Sequence, residues 1–134
     1  MALQRISHVT LNCANLAKSC SFYENVLGFK VKVMNEPGYT AACGYIGDDA
    51  VLHLIERGVD QAPGTRGVVD HYAIEATDLP EMLARLNKAG LEFHENPLPV
   101  LSVHQVVVRD PDGVKVELYF PLQKAGEVGQ WTYS

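Results

Sequence analysis

The sequence lacks the features that mark several large classes of protein. Its longest apolar runs are only as long as a strand, so no segment has the length of a helix that spans a bilayer. Residues 1–12 have neither a basic start nor a continuous apolar stretch, and they do not resemble a secretory signal. We therefore expect a cytoplasmic protein without a membrane partner.

Positive charge is also scarce, because 11 Lys and Arg residues stand against 16 Asp and Glu residues and give a net charge of −5. The basic residues are scattered, whereas a nucleic-acid partner normally requires a clustered basic surface. We expect no nucleic-acid partner. Hydrophobic residues nevertheless make up 47% of the 134 residues, which is enough for one ordinary globular domain with a buried core.

The three cysteines, Cys13, Cys20 and Cys43, form no C-x-x-C pair and are odd in number, so they do not predict a disulfide framework. In a reducing compartment such residues usually serve as small apolar side chains. We interpret them in this way, since no motif supports a thiol nucleophile or a thiolate ligand.

An internal repeat is the most informative feature that the sequence does have. The segment that begins at His8 matches the segment that begins at His71 at a constant offset of 63 residues. Asn15 and Asp78 also match, and each is a plausible N-cap for a helix with apolar residues at helical spacing. Each segment therefore predicts a strand, a helix that ends at a glycine, and three further strands.

This pattern predicts an α+β fold of two βαβββ modules with pseudo-twofold symmetry, in which curved mixed sheets enclose a cleft and the helices lie outside. A single domain, 1–134, would contain a first module at 4–57, a second at 68–120 and a tail at 121–134. Residues 57–67 are rich in glycine and proline and would connect the modules. The predicted strands are 5–13, 29–34, 41–46 and 51–56 in the first module, and 68–75, 91–94, 103–109 and 114–120 in the second.

Strand parity directs several polar side chains toward the cleft, because alternate residues of a strand point to opposite faces. In the last strand one face is wholly apolar and belongs against a helix, so Glu117 points the other way. The same argument directs His8, His53 and His71 toward the cleft, and the repeat relates His53 to Glu117. Imidazole and carboxylate groups suit one divalent Fe, Mn, Ni, Co or Zn ion. The sequence therefore predicts a metal held by His8, His71 and Glu117, with His53 as a candidate fourth ligand.

Three segments resemble the vicinal oxygen chelate superfamily, which contains glyoxalase I, extradiol dioxygenases, fosfomycin resistance enzymes and bleomycin resistance proteins. They are His-Val-Thr-Leu at 8–11, Ser-Phe-Tyr-Glu-Asn-Val-Leu-Gly-Phe at 21–29 and Asp-Pro-Asp-Gly-Val-Lys-Val-Glu-Leu at 110–118, and the resemblance covers residues 4–120. In that family two βαβββ modules pair, and the metal ligands come from their first and last strands. The resemblance thus implies His8 and His71 from first strands, and His53 and Glu117 from last strands.

The resemblance is less specific about the reaction. Glyoxalase I-like proteins often have a glutamate where His53 stands, whereas dioxygenases and fosfomycin enzymes resemble the triad of His8, His71 and Glu117. Bleomycin resistance proteins lack the metal ligands altogether. Many members form homodimers, and some build each site from modules of two chains, so both pairings of the modules stay open.

The resemblance implies a divalent-metal-dependent enzyme of the glyoxalase I-like type, a lyase or isomerase of a small substrate with vicinal oxygens. The metal would stabilise an enediolate or oxyanion as a Lewis acid, and Glu117 is the candidate catalytic base. An Fe(II) extradiol-type dioxygenase, a fosfomycin-type thiol or water transferase, and a non-catalytic ligand-binding protein remain alternatives. The candidate substrate contacts are Tyr45, His104, Gln105, Arg109 and Tyr119. Parity separates His104 from Gln105 and Arg109, and a bulge would reverse which face lines the cleft.

Overall fold

The computed structural model describes residues 2–36, 38–57, 67–125 and 130–133. The chain divides into two compact units, Met1–Ala62 and Pro63–Ser134. This division falls within the connection that the sequence predicts between the two modules. Residues 58–66 of that connection lie outside the described residues, so its predicted structure stays a prediction.

The first unit contains a four-stranded mixed sheet and a helix. The elements are β1 (Val9–Cys13), α1 (Leu16–Ser21) with a π-helical continuation (Phe22–Leu27), β2 (Lys30–Glu36), β3 (Tyr39–Ile46) and β4 (Asp49–Glu56). The strand order is β1-β4-β3-β2, with β1 parallel to β4 and the other neighbours antiparallel. This is the predicted βαβββ module.

Helix α1 begins and ends where the sequence predicts. The side chain of Asn15 accepts a hydrogen bond from the backbone N–H of Lys18 at 3.0 Å, as an N-cap does. The carboxylate of Glu56, at the end of β4, accepts from the backbone N–H of Leu16 at 2.7 Å and joins the start of the helix to the sheet. Gly28 ends the helical segment with a φ of 95°, a conformation that glycine adopts without steric cost.

The core of the first unit is built from alternate strand residues and one side of the helical segment. Leu52 and Leu54 of β4 are almost fully buried, as is Tyr23 from the π-helical turn. Gly44 of β3 lies against this core, since a Cβ atom there would be 3.2 Å from the Cβ of Leu52 and 3.3 Å from Cδ1 of Phe29. A glycine at this position therefore lets the strand approach the core closely.

The second unit repeats the topology and adds one strand pairing. Its main sheet has the order β5-β8-β7-β6, with β5 parallel to β8 and the other neighbours antiparallel. A further strand, β9, pairs antiparallel with the last part of β8. The elements are β5 (Tyr72–Glu75), α2 (Leu79–Lys88), β6 (Phe93–Leu98), a 3-10 turn (Pro99–Leu101), β7 (Val103–Arg109), β8 (Lys115–Ala125) and β9 (Gln130–Tyr133).

Helix α2 confirms the predicted capping pattern of the second module. The side chain of Asp78 accepts a hydrogen bond from the backbone N–H of Glu81 at 3.2 Å, and Pro80 lies in the first turn. One side of the helix, including Leu86, is buried, and so are apolar residues of β7 and β8. No helix in the described residues is both long and apolar enough to cross a membrane.

Within the predicted tail at 121–134, the described residues belong to strands. Strand β8 continues through Pro121, which pairs with Val103 of β7, and β9 pairs with the end of β8, with Leu122 opposite Tyr133. Strands that pair through backbone hydrogen bonds do not require alternating apolar residues. For that reason the proline-containing sequence of residues 121–125 gave no strand signal.

Candidate metal centre

In the first unit, the predicted ligands His8 and His53 lie side by side. Their imidazole rings stack with centroids 4.0 Å apart and planes 16° from parallel. His53 lies in β4 opposite Thr10 of β1, and His8 immediately precedes β1. The parallel pairing of β1 with β4 therefore brings two histidines from distant parts of the sequence onto one face of the sheet.

The surroundings of His53 favour its neutral form. Burial is the main cause that lowers the pKa of His53 below its ordinary value, and the positive charge of a protonated His8 lowers it further. The other cross-strand neighbour of His53 is Cys43 of β3, whose buried Sγ lies 3.3 Å from Sδ of Met34. A neutral imidazole is the form of histidine that binds a metal ion.

In the second unit, the predicted ligands His71 and Glu117 are also adjacent. Nε2 of His71 lies 3.1 Å from Oε2 of Glu117. Glu117 lies in β8 opposite Ala73 of β5, and its residue surface is only 9% exposed. The amide of Gln105 donates a hydrogen bond to Oε1 of Glu117 at 2.6 Å. The carboxylate therefore has one oxygen held by Gln105 and the other directed toward His71.

Two polar residues that sequence reasoning missed lie behind the first-strand histidines. Oδ2 of Asp70 is 2.8 Å from Nδ1 of His71, and the ammonium group of Lys115 is 3.3 Å from the same oxygen. The hydrogen bond with His71, followed by the contacts with Lys115, lowers the pKa of Asp70 below its usual range. Oγ of Ser7 is 3.1 Å from Nδ1 of His8. The repeat contained the signal, since a polar residue precedes each histidine.

The structure separates the substrate contacts predicted on β7. Gln105 and Arg109 share the face of Glu117, whereas His104 lies on the opposite face. His104 is buried, and its Nε2 is 3.0 Å from Oε1 of Glu95. Because the pairing of β7 with β8 is regular in this region, no bulge brings His104 to the other side. We therefore leave His104 out of the proposed site.

The two predicted tyrosine contacts lie in different units. Tyr119 is half-buried and lies opposite Gln105 of β7. It follows Glu117 by two residues in β8, so the two side chains lie on the same face of the sheet. Tyr45 is half-buried in β3, and the ammonium group of Lys32 lies 5.3 Å from the centre of its ring. That distance is within the range of a cation–π contact.

A cavity of about 600 Å³ lies in the second unit. It is lined by residues of β6, β7 and the start of β8, among them His94, Arg109 and Lys115. Val107, also in its lining, is the direct cross-strand neighbour of Glu117. Cavities of this volume accept small organic ligands. Arg109 lines this cavity and shares the strand face of Glu117.

The donor groups suit a divalent ion such as Zn, Co, Ni, Mn or Fe. Bonds of about 2.0–2.2 Å to nitrogen and oxygen place two neighbouring ligand atoms about 3 Å apart. The 3.1 Å between His71 Nε2 and Glu117 Oε2 agrees with this spacing. Each unit brings together two predicted ligands, and no three His, Cys, Asp or Glu side chains gather as a metal site in the part of the chain that the structure describes. A centre with four ligands is accordingly a proposal.

Comparison with known proteins agrees with this fold. Residues 5–118 match the family model of the Glyoxalase/Bleomycin resistance protein/Dioxygenase superfamily. The chain is 32% identical over 131 residues to a lactoylglutathione lyase of Neisseria meningitidis serogroup A, and the alignment covers 92% of this chain and 94% of that protein.

Solved structures show the same fold. A glyoxylase/bleomycin resistance protein/dioxygenase domain from Frankia sp. EAN1pec has a TM-score of 0.72 and 25% identity, with 88% of this chain and 98% of that chain covered. The trypanothione-dependent glyoxalase I of Leishmania major has a TM-score of 0.68 and 24% identity, with 87% of this chain and 86% of that chain covered. These findings confirm the resemblance and the two βαβββ modules, and the chain belongs to the Glyoxalase/Bleomycin resistance protein/Dioxygenase superfamily.

Proposed function

We propose that this chain is a divalent-metal-dependent lyase of the lactoylglutathione lyase type. The observation that carries the proposal is the 3.1 Å approach of His71 Nε2 to Glu117 Oε2, two donor atoms of the kinds and at the spacing that a metal ion requires. The name of the Neisseria meningitidis relative, 32% identical to this chain, supports the reaction class. The substrate would be the hemithioacetal that methylglyoxal forms with glutathione.

His8, His53, His71 and Glu117 would together hold one divalent ion. Bound there, the ion would supply a Lewis acid that stabilises negative charge on two neighbouring oxygens of the substrate. Three neutral imidazoles and one carboxylate leave a net positive charge on the centre, which favours oxygen ligands that carry negative charge.

Glu117 is the proposed base for the proton transfer. It would take the proton from the carbon that carries the hydroxyl and the sulfur, and return it to the neighbouring carbonyl carbon, while the hydroxyl proton moves to the other oxygen. The product is a hydroxy thioester with the same atoms as the substrate. The hydrogen bond from Gln105 supports this role, because it restricts rotation of the carboxylate. Metal binding and base catalysis would compete for the same group.

Arg109, Tyr119 and Tyr45 are the proposed substrate contacts. Arg109 lines the cavity of the second unit and shares the strand face of Glu117, and a guanidinium group binds carboxylates such as those of glutathione in a two-pronged geometry. Gln105 would act through Glu117, since its amide already donates to that carboxylate.

The test is thioester formation from methylglyoxal and glutathione by protein that has been stripped of metal and reloaded with Ni, Co, Zn, Mn or Fe. We expect activity with at least one metal and a loss of roughly 10²–10⁴-fold in the Glu117→Gln variant. Glu24→Gln, on an exposed glutamate of the first unit, is the matched control and should retain full activity. Absence of thioester formation with every metal would overturn the proposal. Oxygen uptake on catechols by the iron-loaded protein would instead favour the dioxygenase.

The family resemblance also leads us to propose a homodimer. Light scattering on the purified protein should give a mass about twice the 14.7 kDa of one chain. A mass of one chain at the concentrations used in the activity assay would contradict the dimer and would leave the proposed reaction untouched.

A further inference from the structure

The residue before each first-strand histidine contacts the same ring nitrogen. Oγ of Ser7 lies 3.1 Å from Nδ1 of His8, and Oδ2 of Asp70 lies 2.8 Å from Nδ1 of His71. Ser7 and Asp70 are themselves related by the 63-residue offset of the repeat. The same contact at matching positions of two units is difficult to attribute to an accidental arrangement of surface side chains.

This contact determines which nitrogen of the imidazole is available as a ligand. A neutral imidazole carries a proton on one nitrogen and a lone pair on the other, and only the lone pair binds a metal. A carboxylate only accepts, so Asp70 beside Nδ1 of His71 leaves the lone pair on Nε2, whereas the Ser7 hydroxyl has the same effect on His8 when it acts as the acceptor. In the second unit, Nε2 of His71 is the atom that lies next to Glu117.

We propose that Asp70 is a positioning residue that holds His71 in its Nδ1–H form and directs Nε2 toward the metal, and that Ser7 does the same for His8. This inference rests on the proposed function, because it takes both histidines as metal ligands. It adds two residues that do not themselves bind the metal.

Asp70 has the stronger effect of the two. Hydrogen bonds to an ionised acceptor are roughly twice as strong as those between neutral groups. The ammonium group of Lys115, 3.3 Å from Oδ2, holds the carboxylate in place from its other side. Ser7 offers only a neutral hydroxyl to His8, at the longer distance of 3.1 Å. We therefore expect unequal losses when the two residues are replaced.

Asp70 could also have a purely structural role, because its ion pair with Lys115 joins the segment before β5 to the start of β8. This role has to be distinguished from the positioning of His71. The side chains of Asp70 and Lys115 are 55% and 30% exposed, and ion pairs between such groups contribute little to stability. Lys115→Met removes the ion pair and leaves the contact between Asp70 and His71. It is therefore the matched variant for the structural role.

The first experiment measures the affinity of the metal-free full-length protein for Zn by competition with a chelating dye. We expect Asp70→Ala to bind Zn about 10-fold or more weakly, the effect typical of losing a group that orients a ligand. Ser7→Ala and Lys115→Met should show smaller losses, and Asp48→Asn, on an exposed carboxylate of the β3–β4 turn, should show none. Binding of Zn by Asp70→Ala as tight as in the wild type would overturn the inference.

The second experiment reads the imidazole protonation directly. Long-range ¹H–¹⁵N NMR spectra of the metal-free Glu117→Ala protein, in which the carboxylate facing Nε2 has been removed, should show His71 as the Nδ1–H form at a pH where the histidines are neutral, and the Asp70 variants are compared in this background. Asp70→Ala should move the population toward the Nε2–H form, whereas Asp70→Asn keeps an acceptor oxygen and should retain Nδ1–H. An unchanged spectrum of His71 in Asp70→Ala would contradict the inference, since a structural role alone predicts that result.

His71→Ala separates failure of this inference from failure of the proposed function. If His71→Ala binds Zn as tightly as the wild type, the proposed metal centre is wrong. If His71→Ala loses Zn and Asp70→Ala keeps it, the centre stands and the positioning role is wrong. Should Asp70→Ala fail to fold, as judged by circular dichroism, Asp70→Leu, which also lacks an acceptor for Nδ1–H, supplies the same comparison.

Discussion

The two units share one topology and differ in the charge around their candidate ligands. The first unit pairs two imidazoles, His8 and His53, which stack at 4.0 Å. The second pairs the imidazole of His71 with the carboxylate of Glu117, and places the carboxylate of Asp70 behind the ring. The repeat therefore preserves the ligand positions while the negative charge lies in the second unit. We conclude that the second unit should contribute the larger part of the attraction for a cation.

The largest effect is expected from replacing the matching residues Glu117 and His53 by glutamine, which tests the difference in charge between the two units. Glu117→Gln removes the charged candidate ligand, and His53→Gln removes its neutral counterpart at the matching position of β4. We expect Zn affinity to fall by roughly 100-fold or more in Glu117→Gln and by about 10-fold in His53→Gln. Competition with a chelating dye measures both values. An equal or larger loss in His53→Gln would show that the charge is not what distinguishes the units.

The second prediction concerns the packing difference between the two sheets. Gly44 of β3 pairs with Leu52, whereas Val108 at the matching position of β7 pairs with Val116. A methyl group at Gly44 would meet the Cβ and Cδ2 atoms of Leu52 at 3.2 Å, so Gly44→Ala should lower the free energy of unfolding by about 1–3 kcal/mol. In the control Gly67→Ala the nearest atom is 3.8 Å away, and the change should stay within about 0.5 kcal/mol. Urea titration compares them, and equal stabilities would contradict the packing account.

The third prediction contrasts the two faces of β7 in the second unit. Gln105→Leu removes the 2.6 Å hydrogen bond to Glu117 and should lower the rate of thioester formation by about 10-fold or more, since hydrogen bonds to charged groups contribute about 1.5–3 kcal/mol. His104→Leu lies on the other face and should leave both the rate and the Zn affinity unchanged. Steady-state kinetics of the two variants provides the check. A rate loss in His104→Leu as large as that in Gln105→Leu would reverse our assignment of the faces.

The smallest effect concerns the thiols, which all belong to the first unit. Cys13 and Cys43 are buried, and burial followed by the charge of Glu24 raises the pKa of Cys20 above the ordinary thiol value. Alkylation of Cys20 by iodoacetamide at neutral pH should therefore be slower than that of a free cysteine, because less thiolate is present. The reaction should accelerate only as the pH rises above the ordinary thiol pKa. Glu24→Gln should shift this acceleration slightly to lower pH. Rapid alkylation at pH 7 would indicate an activated thiol and contradict our interpretation.

Much of the fold was predictable because several independent patterns agree. The 63-residue offset gave the two modules, and strand parity placed Glu117 on the polar face of its sheet. The caps at Asn15 and Asp78 gave the helix starts. Strand β9 was not predicted although Gln130-Trp131-Thr132-Tyr133 alternates polar and aromatic residues, because a single alternation of four residues is a weak signal.

The candidate site was predictable only as far as strand faces determine it. Parity and the repeat named His8, His53, His71 and Glu117, and the structure brings these residues together as two pairs. The contact of Asp70 with His71 depends on side-chain rotamers, which a periodic pattern does not encode. The hydrogen bond from the Gln105 amide to Glu117 depends on rotamers in the same way, and the substrate contact predicted for Gln105 stays a prediction.

Metal content per chain tests the central claim most directly. The wild-type protein, loaded with Zn and desalted, should contain one ion per chain by elemental analysis. Removing either pair, in His8→Ala/His53→Ala or in His71→Ala/Glu117→Gln, should reduce this ratio toward zero in variants that remain folded. If both double variants keep the wild-type ratio, the metal is not held by these four residues and the proposed centre is wrong.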